Sequence, residues 1–285
     1  MRMKMILCMS LLAVSCLCGC GQNEKVSLSE TCDAENISAI NMQIDSWQLK
    51  IMASADDDIH VSLDGGTAKG AKAPSVDMQD GVLDIVQAEN EDTVLSQFSL
   101  GKEGEVTVYV PDTLEGTVTV KNGSGDMEID SLVASKLTLD NSSGYIEMNN
   151  VTADVVEIAS SSGDVKLSGG KIDDFQISTS SGYVTWKNTE SEYISITAKS
   201  GEVNVSGLGD RTNAEVSTGS GDSGISYETP PQNLSFKISS GSDDVSVRLD
   251  DASYTMETSA CKQGKIGDGT YSLTVNSDRG TVVIH

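Results

Sequence analysis

A short phrase with glycine as its third residue recurs seven times within residues 118–247 and restricts the fold more than any other feature of the chain. Successive glycines are 19, 19, 19, 19, 20 and 20 residues apart. A fixed period of this length indicates a repeat architecture, in which each unit makes its main contacts with the neighbouring units. The seven glycines are Gly125, Gly144, Gly163, Gly182, Gly201, Gly221 and Gly241.

The residues around each of these glycines alternate between apolar and polar. Around Gly163, for example, apolar residues stand before it at Val156 and Ile158 and after it at Val165 and Leu167. A spacing of two is the period of a β-strand with one buried face. Each repeat therefore predicts two short strands joined by a turn, where glycine allows a positive φ or a close approach between neighbouring turns.

One such repeat cannot bury its apolar face alone. Stacking the repeats in parallel would make a continuous core and would pair each strand with the strands above and below it. We therefore predict an all-β fold, a single-chain parallel β-solenoid (β-helix) with coils of about 19 residues. The alternative is an antiparallel sandwich of regularly spaced hairpins, but a sandwich gives no reason for the same turn chemistry to return at a fixed interval.

The residue after each repeat glycine belongs to a series in which acids alternate with tyrosine in the first half. Stacked coils would place these residues about 4.8 Å apart in one row. We interpret the row as a candidate ligand surface, an acidic and aromatic strip for a sugar or a cation; the alternative is a row of solvated turn residues. The series is Asp126, Tyr145, Asp164, Tyr183, Glu202, Asp222 and Ser242, and Trp47 is a further ligand-stacking candidate.

Residues 1–19 have the features of an export signal. Arg2 and Lys4 precede an apolar stretch over residues 6–17 that is too short for an ordinary membrane span. The signal ends Leu-Cys-Gly-Cys, which resembles the lipobox of bacterial lipoproteins and predicts lipidation of Cys20. The alternatives are cleavage before Cys16 and a plain secretory signal. Attachment of more than one acyl chain would anchor the protein stably.

The remainder of the chain divides into a tether and one continuous domain. We predict that residues 20–36, the lipidated cysteine and a polar stretch, form the tether and that residues 37–285 form the solenoid. Within the solenoid, residues 37–112 supply N-terminal strands that cap the stack, residues 113–250 supply the regular repeats, and residues 251–285 supply a last coil that ends it.

Three stretches together resemble a known family. They are the Val-Thr-Val-Tyr-Val-Pro run of residues 106–111, the first glycine repeat at residues 118–129 with those that follow it, and the closing Gly-Thr-Val-Val-Ile of residues 280–284. Over roughly residues 37–285 the chain is similar to the DUF4097 "putative adhesin" family of bacterial envelope proteins. The resemblance implies a β-strand repeat fold at the cell surface, and it brings no catalytic or binding residues to this chain.

The composition is strongly acidic, with a formal net charge of −24 from 19 basic and 43 acidic residues. Removal of the signal takes away Arg2 and Lys4 and changes the net charge to −26. An acidic surface argues against nucleic acid as a partner and keeps the body of the protein off anionic headgroups, so that the lipid would be the membrane contact. The acidic runs at residues 56–58 and 243–244 are candidate weak cation sites or else solvated turn acids.

Two cysteines, Cys32 and Cys261, follow the predicted lipidation site. Export permits a disulfide, but the two residues flank the repeats and can pair only if the N-terminal segment doubles back; the alternative is two unpaired thiols. The histidines His60 and His285 suggest no zinc-binding cluster, and no nucleophile elbow or phosphate-binding loop occurs in the sequence. We therefore expect no catalytic residues, no metal and no cofactor.

These observations lead to three hypotheses about function. We expect an extracytoplasmic protein, anchored by lipid to the bacterial cell membrane, that is not an enzyme. The leading hypothesis is an adhesin-like surface protein whose extended β-repeat binds an envelope or host glycan or a protein. The second is an envelope-stress accessory or scaffold lipoprotein that docks a membrane protein. The third is a polysaccharide-active β-helix enzyme that uses paired acids, although the basic residues that would neutralise uronates are scattered.

Overall fold

A computed structural model describes residues 23–68, 73–87 and 104–285. Within these ranges the chain consists of β-strands and loops with one 3-10 turn (Ala34–Asn36) and no α-helix, which confirms the predicted all-β class. All strands belong to one hydrogen-bonded sheet. The strands are β1 (Asn23–Asp33), β2 (Ala39–Ile44), β3 (Gln48–Ala53), β4 (Asp58–Ala68), β5 (Ser75–Gln79), β6 (Val82–Val86), β7 (Gly104–Val110), β8 (Thr117–Asn122), β9 (Met127–Asp130), β10 (Val133–Asn141), β11 (Ile146–Ser160), β12 (Val165–Ser181), β13 (Val184–Lys187), β14 (Tyr193–Ser200), β15 (Val203–Leu208), β16 (Asn213–Ser220), β17 (Ser223–Tyr227), β18 (Leu234–Ser240), β19 (Val245–Val247), β20 (Ser253–Glu257), β21 (Cys261–Ile266), β22 (Tyr271–Arg279) and β23 (Val282–Ile284).

The regular repeats pair in parallel, each shifted by one period. Leu137 pairs with Val156, Val156 with Phe175 and Phe175 with Ile194. We call the strands that precede each glycine turn the leading face and those that follow it the trailing face, and we use the word coil for one leading strand, its turn and its trailing strand. β8, β10, β14 and β16 lie on the leading face, β9, β13, β15 and β17 lie on the trailing face, and the long strands β11 and β12 contribute to both. This parallel register is incompatible with an antiparallel sandwich for the regular repeats.

Both faces turn their apolar side chains into a shared core. Val156 and Ile158 on the leading face and Leu167 on the trailing face are at most 3% exposed. Phe175 from the leading face meets Trp186 from the trailing face edge to face, with ring centroids 4.9 Å apart. The two faces of a coil therefore contact each other across the core, and each large buried side chain contributes about 1.5–3 kcal/mol through burial.

The repeat glycines stand in a column at the turn between the two faces. Gly144, Gly163, Gly182, Gly201 and Gly221 have φ values from +111° to +157°, a region that residues with a Cβ rarely adopt. A Cβ on any of them would also collide with the carbonyl oxygen of the repeat glycine one coil earlier. Both predicted reasons for glycine, the positive φ and the close approach, therefore apply at the same positions.

A second corner follows the trailing face and was not predicted. Its residues have φ values from +48° to +70° and recur every 19 residues. Asparagine, serine and glycine are among the residues found in this left-handed region, so their recurrence in the sequence was the available signal. The corner residues are Ser131, Asn150, Gly169, Asn188 and Gly207.

The last coil, formed by β22 and β23, does not end the stack, which corrects that part of the prediction for residues 251–285. β22 lies between β16 and β18 and pairs with both in parallel, and β23 lies between β17 and β19 in the same way. The chain thus inserts its last coil between the sixth and seventh repeats. The antiparallel pair β20 and β21 lies beyond β18 and occupies that end. The prediction was wrong because every coil offers an equivalent strand edge for parallel pairing. The period of the sequence shows that coils pair, but it does not show which coils are neighbours.

The N-terminal strands are also out of chain order. β2 lies between β6 and β8, and β3 lies between β7 and β9, all in parallel. β4 then pairs antiparallel with both β7 and β1. The tether predicted over residues 20–36 is therefore wrong for residues 23–33, which form an edge strand. This segment forms a strand because its alternate residues face the core: Val26 and Leu28 pack against it, and Cys32 is 3% exposed. The polar residues between them concealed this alternation in the sequence.

The glycine column generates a first prediction. Gly182→Ala places a Cβ at φ +122° against the carbonyl oxygen of Gly163, so we expect a loss of about 2–4 kcal/mol in the free energy of unfolding, measured by urea denaturation. Gly224→Ala is the matched control, because a Cβ there meets no atom within 4 Å and should change stability by less than about 1 kcal/mol. Equal losses at the two positions would contradict the close-approach argument.

The inserted coil generates a second prediction. Leu273 is fully buried between β16 and β18, so Leu273→Ala should cost about 2–5 kcal/mol although it lies twelve positions before His285. Its exposed neighbour Thr274 provides the control, and Thr274→Ala should cost less than about 0.5 kcal/mol. Thermal and urea unfolding of both variants check this. A small effect at Leu273 would show that the last coil is a dispensable appendage.

Candidate functional site at the turn edge

The predicted ligand row lies along the glycine turns, at a border between the two faces that we call the turn edge. Six of its seven predicted members follow one another coil by coil: Asp126, Tyr145, Asp164, Tyr183, Glu202 and Asp222. Ser242 does not join them. The inserted coil places Thr281 after Asp222, and Asp244 takes the place after that, because Val245 pairs with Val282.

Three carboxylates of the row form hydrogen bonds to the backbone of the next coil. The N–H of Tyr145 donates to Asp126 Oδ1, and the N–H of Tyr183 donates to Asp164 Oδ1, both at 2.8 Å. Thr281 donates to Asp222 Oδ1 in the same way, also at 2.8 Å. The aspartates therefore satisfy the N–H group that the next turn presents, a role that explains why an acid is placed one coil before each tyrosine.

The two tyrosines differ in exposure. Tyr183 is 56% exposed, whereas Tyr145 is partly covered. Burial raises the pKa of the Tyr145 phenol, with Glu147 adding to the shift and Lys166 opposing it. Lys166 and Glu147 form an ion pair at 2.6 Å beside this ring. Tyr145 and Tyr183 lie two coils apart in one row, so their backbones are separated by about 10 Å.

A row of serines runs beside the acids and tyrosines. Ser143, Ser162, Ser181 and Ser200 each donate a hydroxyl to a carbonyl oxygen of the preceding coil at 3.0–3.5 Å. A hydroxyl that donates in this way still has oxygen lone pairs that can accept a hydrogen bond. The turn edge therefore combines exposed tyrosine, carboxylates and a line of uncharged hydroxyl acceptors.

A buried polar ladder supports the turn edge from inside. Asn122 Nδ2 donates to the carbonyl of Gly125 at 2.6 Å and to Asn141 Oδ1 at 2.8 Å. Asn141 Nδ2 donates in turn to the carbonyl of Gly144 at 3.0 Å and to Ser160 Oγ at 3.4 Å. These residues were not predicted because they are polar, although their position three residues before each glycine is in phase with the inward residues.

The leading face carries a groove of about 500 Å³. Outward side chains from four successive coils line it, and they are small or uncharged except for two acids. The ion pair of Lys136 with Glu157, at 2.8 Å, lies at this groove. The outward lining residues are Thr138, Asp140, Glu157, Ala159, Gln176, Ser178, Ser195 and Thr197.

Trp47 is not a ligand-stacking residue, which corrects the prediction. It is 1% exposed, and its indole lies against Gly65 and Gly104, where any Cβ would collide with the ring. Its backbone N–H donates to the buried Gln87 Oε1 at 3.1 Å. A lone tryptophan outside the repeats has no phase by which its inward direction could be recognised. Trp186, in contrast, stands four residues after the repeat glycine Gly182, in phase with the inward residues, and is 1% exposed.

The other predicted sites are not brought together. Cys32 lies in β1 at one end of the stack and Cys261 begins β21 at the other, separated by more than ten strand spacings or roughly 50 Å. Cys20 lies outside the described residues. His60 Nε2 lies 2.8 Å from Asp56 Oδ1, and the N–H of Asp58 donates to the same oxygen at 3.1 Å; both contacts lower the pKa of the Asp56 carboxyl. Within the described ranges, no three His, Cys, Asp or Glu residues are placed to hold a metal.

Comparison with known families agrees with this geometry. Residues 37–285 match the family described as Toastrack DUF4097, so the chain belongs to that family. This confirms the resemblance seen in the sequence. No curated protein matches the chain. No helix that could span a bilayer occurs in the described part of the chain.

Two solved structures show similar folds. One is described as a "putative adhesin" from Bacteroides fragilis NCTC 9343; it is 14% identical, the match covers 91% of this chain and 97% of that one, and the TM-score is 0.56. Another of the same description, from Parabacteroides distasonis ATCC 8503, is 13% identical with coverage of 91% and 96% and a TM-score of 0.51. At these identities the likeness establishes the fold.

The buried ladder generates a third prediction. Asn141→Ala removes the donor to the Gly144 carbonyl and the acceptor for Asn122, so we expect a cost of about 2–4 kcal/mol in the free energy of unfolding. Asp140→Ala, at the exposed neighbouring position, should cost less than about 0.5 kcal/mol. Chemical denaturation measures both. If Asn141→Ala were as mild as Asp140→Ala, the ladder would not support the turns.

Proposed function

We propose that this chain is a lipid-anchored, non-catalytic protein of the bacterial cell surface that binds an envelope or host glycan along its turn edge. The observation that carries the proposal is the continuity of the edge. Tyr145, Asp164 and Tyr183 follow one another in register, with serine hydroxyls beside them. Aromatic faces and convergent hydrogen-bonding groups are what a sugar-binding surface requires.

We further infer that the strands wind as a single parallel solenoid with coils of about 19 residues. The register of the regular repeats supports this, since residues such as Leu139, Ile158 and Ile177 pair in turn with their equivalents. A solenoid makes each outward row straight and repeats it at the strand spacing of about 4.8 Å. A straight, repeated strip suits an extended polymer better than a compact ligand.

The anchor is the second part of the proposal. The lipobox-like sequence before Cys20 supports lipidation, and strand β1 begins at Asn23, only three residues later. The lipid would hold the end of the stack that contains β1 near the membrane and leave the remaining coils to project outward. The acidic composition, with a net charge of −24, supports a body that stays off anionic headgroups.

One observation favours docking to a membrane protein as the alternative. β20 pairs on one side with β21, and its Tyr254 and Met256 are 36% and 48% exposed. A strand edge with exposed apolar side chains can accept a strand from another protein. This edge lies at the end of the stack opposite β1, where a scaffold lipoprotein would meet a partner.

Glycan-array and cell-wall binding by the soluble mature chain, residues 21–285, tests the proposal. We expect saturable binding that falls at least about tenfold in the Tyr145→Ala/Tyr183→Ala double variant, because stacking on both rings is lost. Tyr109→Ala is the matched control, since Tyr109 is 41% exposed but lies in β7, away from the turn edge. Circular dichroism would verify that all variants are folded.

Two results would contradict the glycan proposal. Absence of binding by folded protein, together with recovery of a membrane protein, would favour the docking alternative. Turnover of a polysaccharide that disappears in Asp164→Asn would favour the enzyme hypothesis instead; this substitution keeps an oxygen that can accept from the Tyr183 N–H.

A further inference from the structure

We infer that the glycan bound at the turn edge is an uncharged β-1,4-linked polymer, with alternate sugars stacked on Tyr145 and Tyr183 and the sugar between them over Asp164. This inference rests on the proposed function and names its ligand class. It follows from the spacing of the two rings, the charge of the row and the hydrogen-bonding groups between the rings.

The first step is the spacing. Tyr145 and Tyr183 occupy equivalent places in coils separated by one intervening coil, because Ile146 pairs with Val165 and Val165 with Val184. Two strand spacings amount to about 10 Å. In an extended β-1,4-linked chain each sugar is turned by half a rotation, so alternate sugars present the same face, and two successive sugar rings span a similar distance. One aromatic ring per disaccharide is thus in register with the polymer.

The second step is the residue between the rings. Asp164 is exposed, and its Oδ1 accepts the N–H of Tyr183 at 2.8 Å, which fixes the carboxylate in the row. A carboxylate has acceptor capacity beyond one hydrogen bond, so it can also accept from hydroxyls of the intervening sugar. Ser162 and Ser181, whose hydroxyls donate to the preceding coil, supply further acceptors alongside.

The third step is charge. The row has five carboxylates, and the neighbouring Lys166 is already paired with Glu147 at 2.6 Å. The five acids are Asp126, Asp164, Glu202, Asp222 and Asp244. A polymer of uronic acids would bring like charges against this row and would be repelled. Neutral sugars such as glucose or N-acetylhexosamine meet no such penalty.

The glycosidic linkage of the polymer decides whether its sugar rings can present one face along a straight row. Chains with α-1,4 or β-1,3 linkages wind into helices, so their successive rings do not present one face along a straight line. The stack, in contrast, keeps Tyr145 and Tyr183 in a straight row set by the strand register. The geometry therefore selects the extended β-1,4 linkage.

The test is the dependence of affinity on chain length, measured by titration calorimetry with chito- and cello-oligosaccharides of one to six sugars. A trisaccharide is the shortest ligand that reaches both rings, so we expect affinity to rise at least tenfold from two sugars to three. Tyr183→Ala should abolish this step, and Tyr183→Phe should keep it because the aromatic face remains. Tyr109→Ala, outside the row, should leave the step unchanged.

A variant that changes the distance between the two tyrosines tests whether binding depends on their register with the polymer or only on the number of aromatic rings. Tyr183→Ala combined with Glu202→Tyr keeps two tyrosines in the row but places them three coils apart, out of phase with the disaccharide repeat. We expect this variant to lack the three-sugar step. Restoration of the step would overturn the register argument.

The remaining outcomes distinguish this inference from the proposal on which it rests. Binding of β-1,3-linked, α-1,4-linked or uronate oligosaccharides in preference to β-1,4-linked ones would overturn the inference and leave the glycan-binding proposal intact. Binding of β-1,4-linked ligands without the step, or without loss in the tyrosine variants, would overturn it as well. Absence of binding to any glycan by folded protein would contradict both.

Discussion

The close approach of each repeat glycine to the carbonyl oxygen of the glycine one coil earlier is the constraint on which the rest of the structure depends. Gly163, Gly182 and Gly201 have no room for a Cβ, so neighbouring turns can stack at the strand spacing. Once the turns are in register, every other position in the coil falls into a row of its own. Inward rows become a continuous core, and outward rows become straight strips of chemically similar groups.

Much of this arrangement could be predicted from the sequence, because alternation and period are local signals that stacking converts into geometry. The inward residues, the turn and six members of the candidate ligand row follow from them. Asn122 and Asn141 were missed because a buried polar side chain depends on hydrogen-bond partners, and these partners are visible only in the structure. Trp47 was misjudged because it stands outside the repeats, where a single aromatic side chain carries no phase.

The ends of the stack could not be predicted, for a different physical reason. A parallel strand edge is satisfied by any strand of matching length and alternation, so the sequence specifies that coils pair but not which coils are neighbours. β2 and β22 both lie between strands that are distant from them in the chain. The order of the two aspartates and two tyrosines from Asp126 to Tyr183 could be predicted, because the coils that carry them are consecutive in the chain and are also neighbours in space.

The inserted C-terminal coil has a consequence for the order in which the molecule can assemble. The coils from β8 to β16 can stack in chain order, and β18, β20 and β21 can pair among themselves. These two parts share no strand pairing until β22 and β23 arrive between them. β22 and β23 are thus the strands that join the protein into one body, so the two parts cannot be united before these strands are in place.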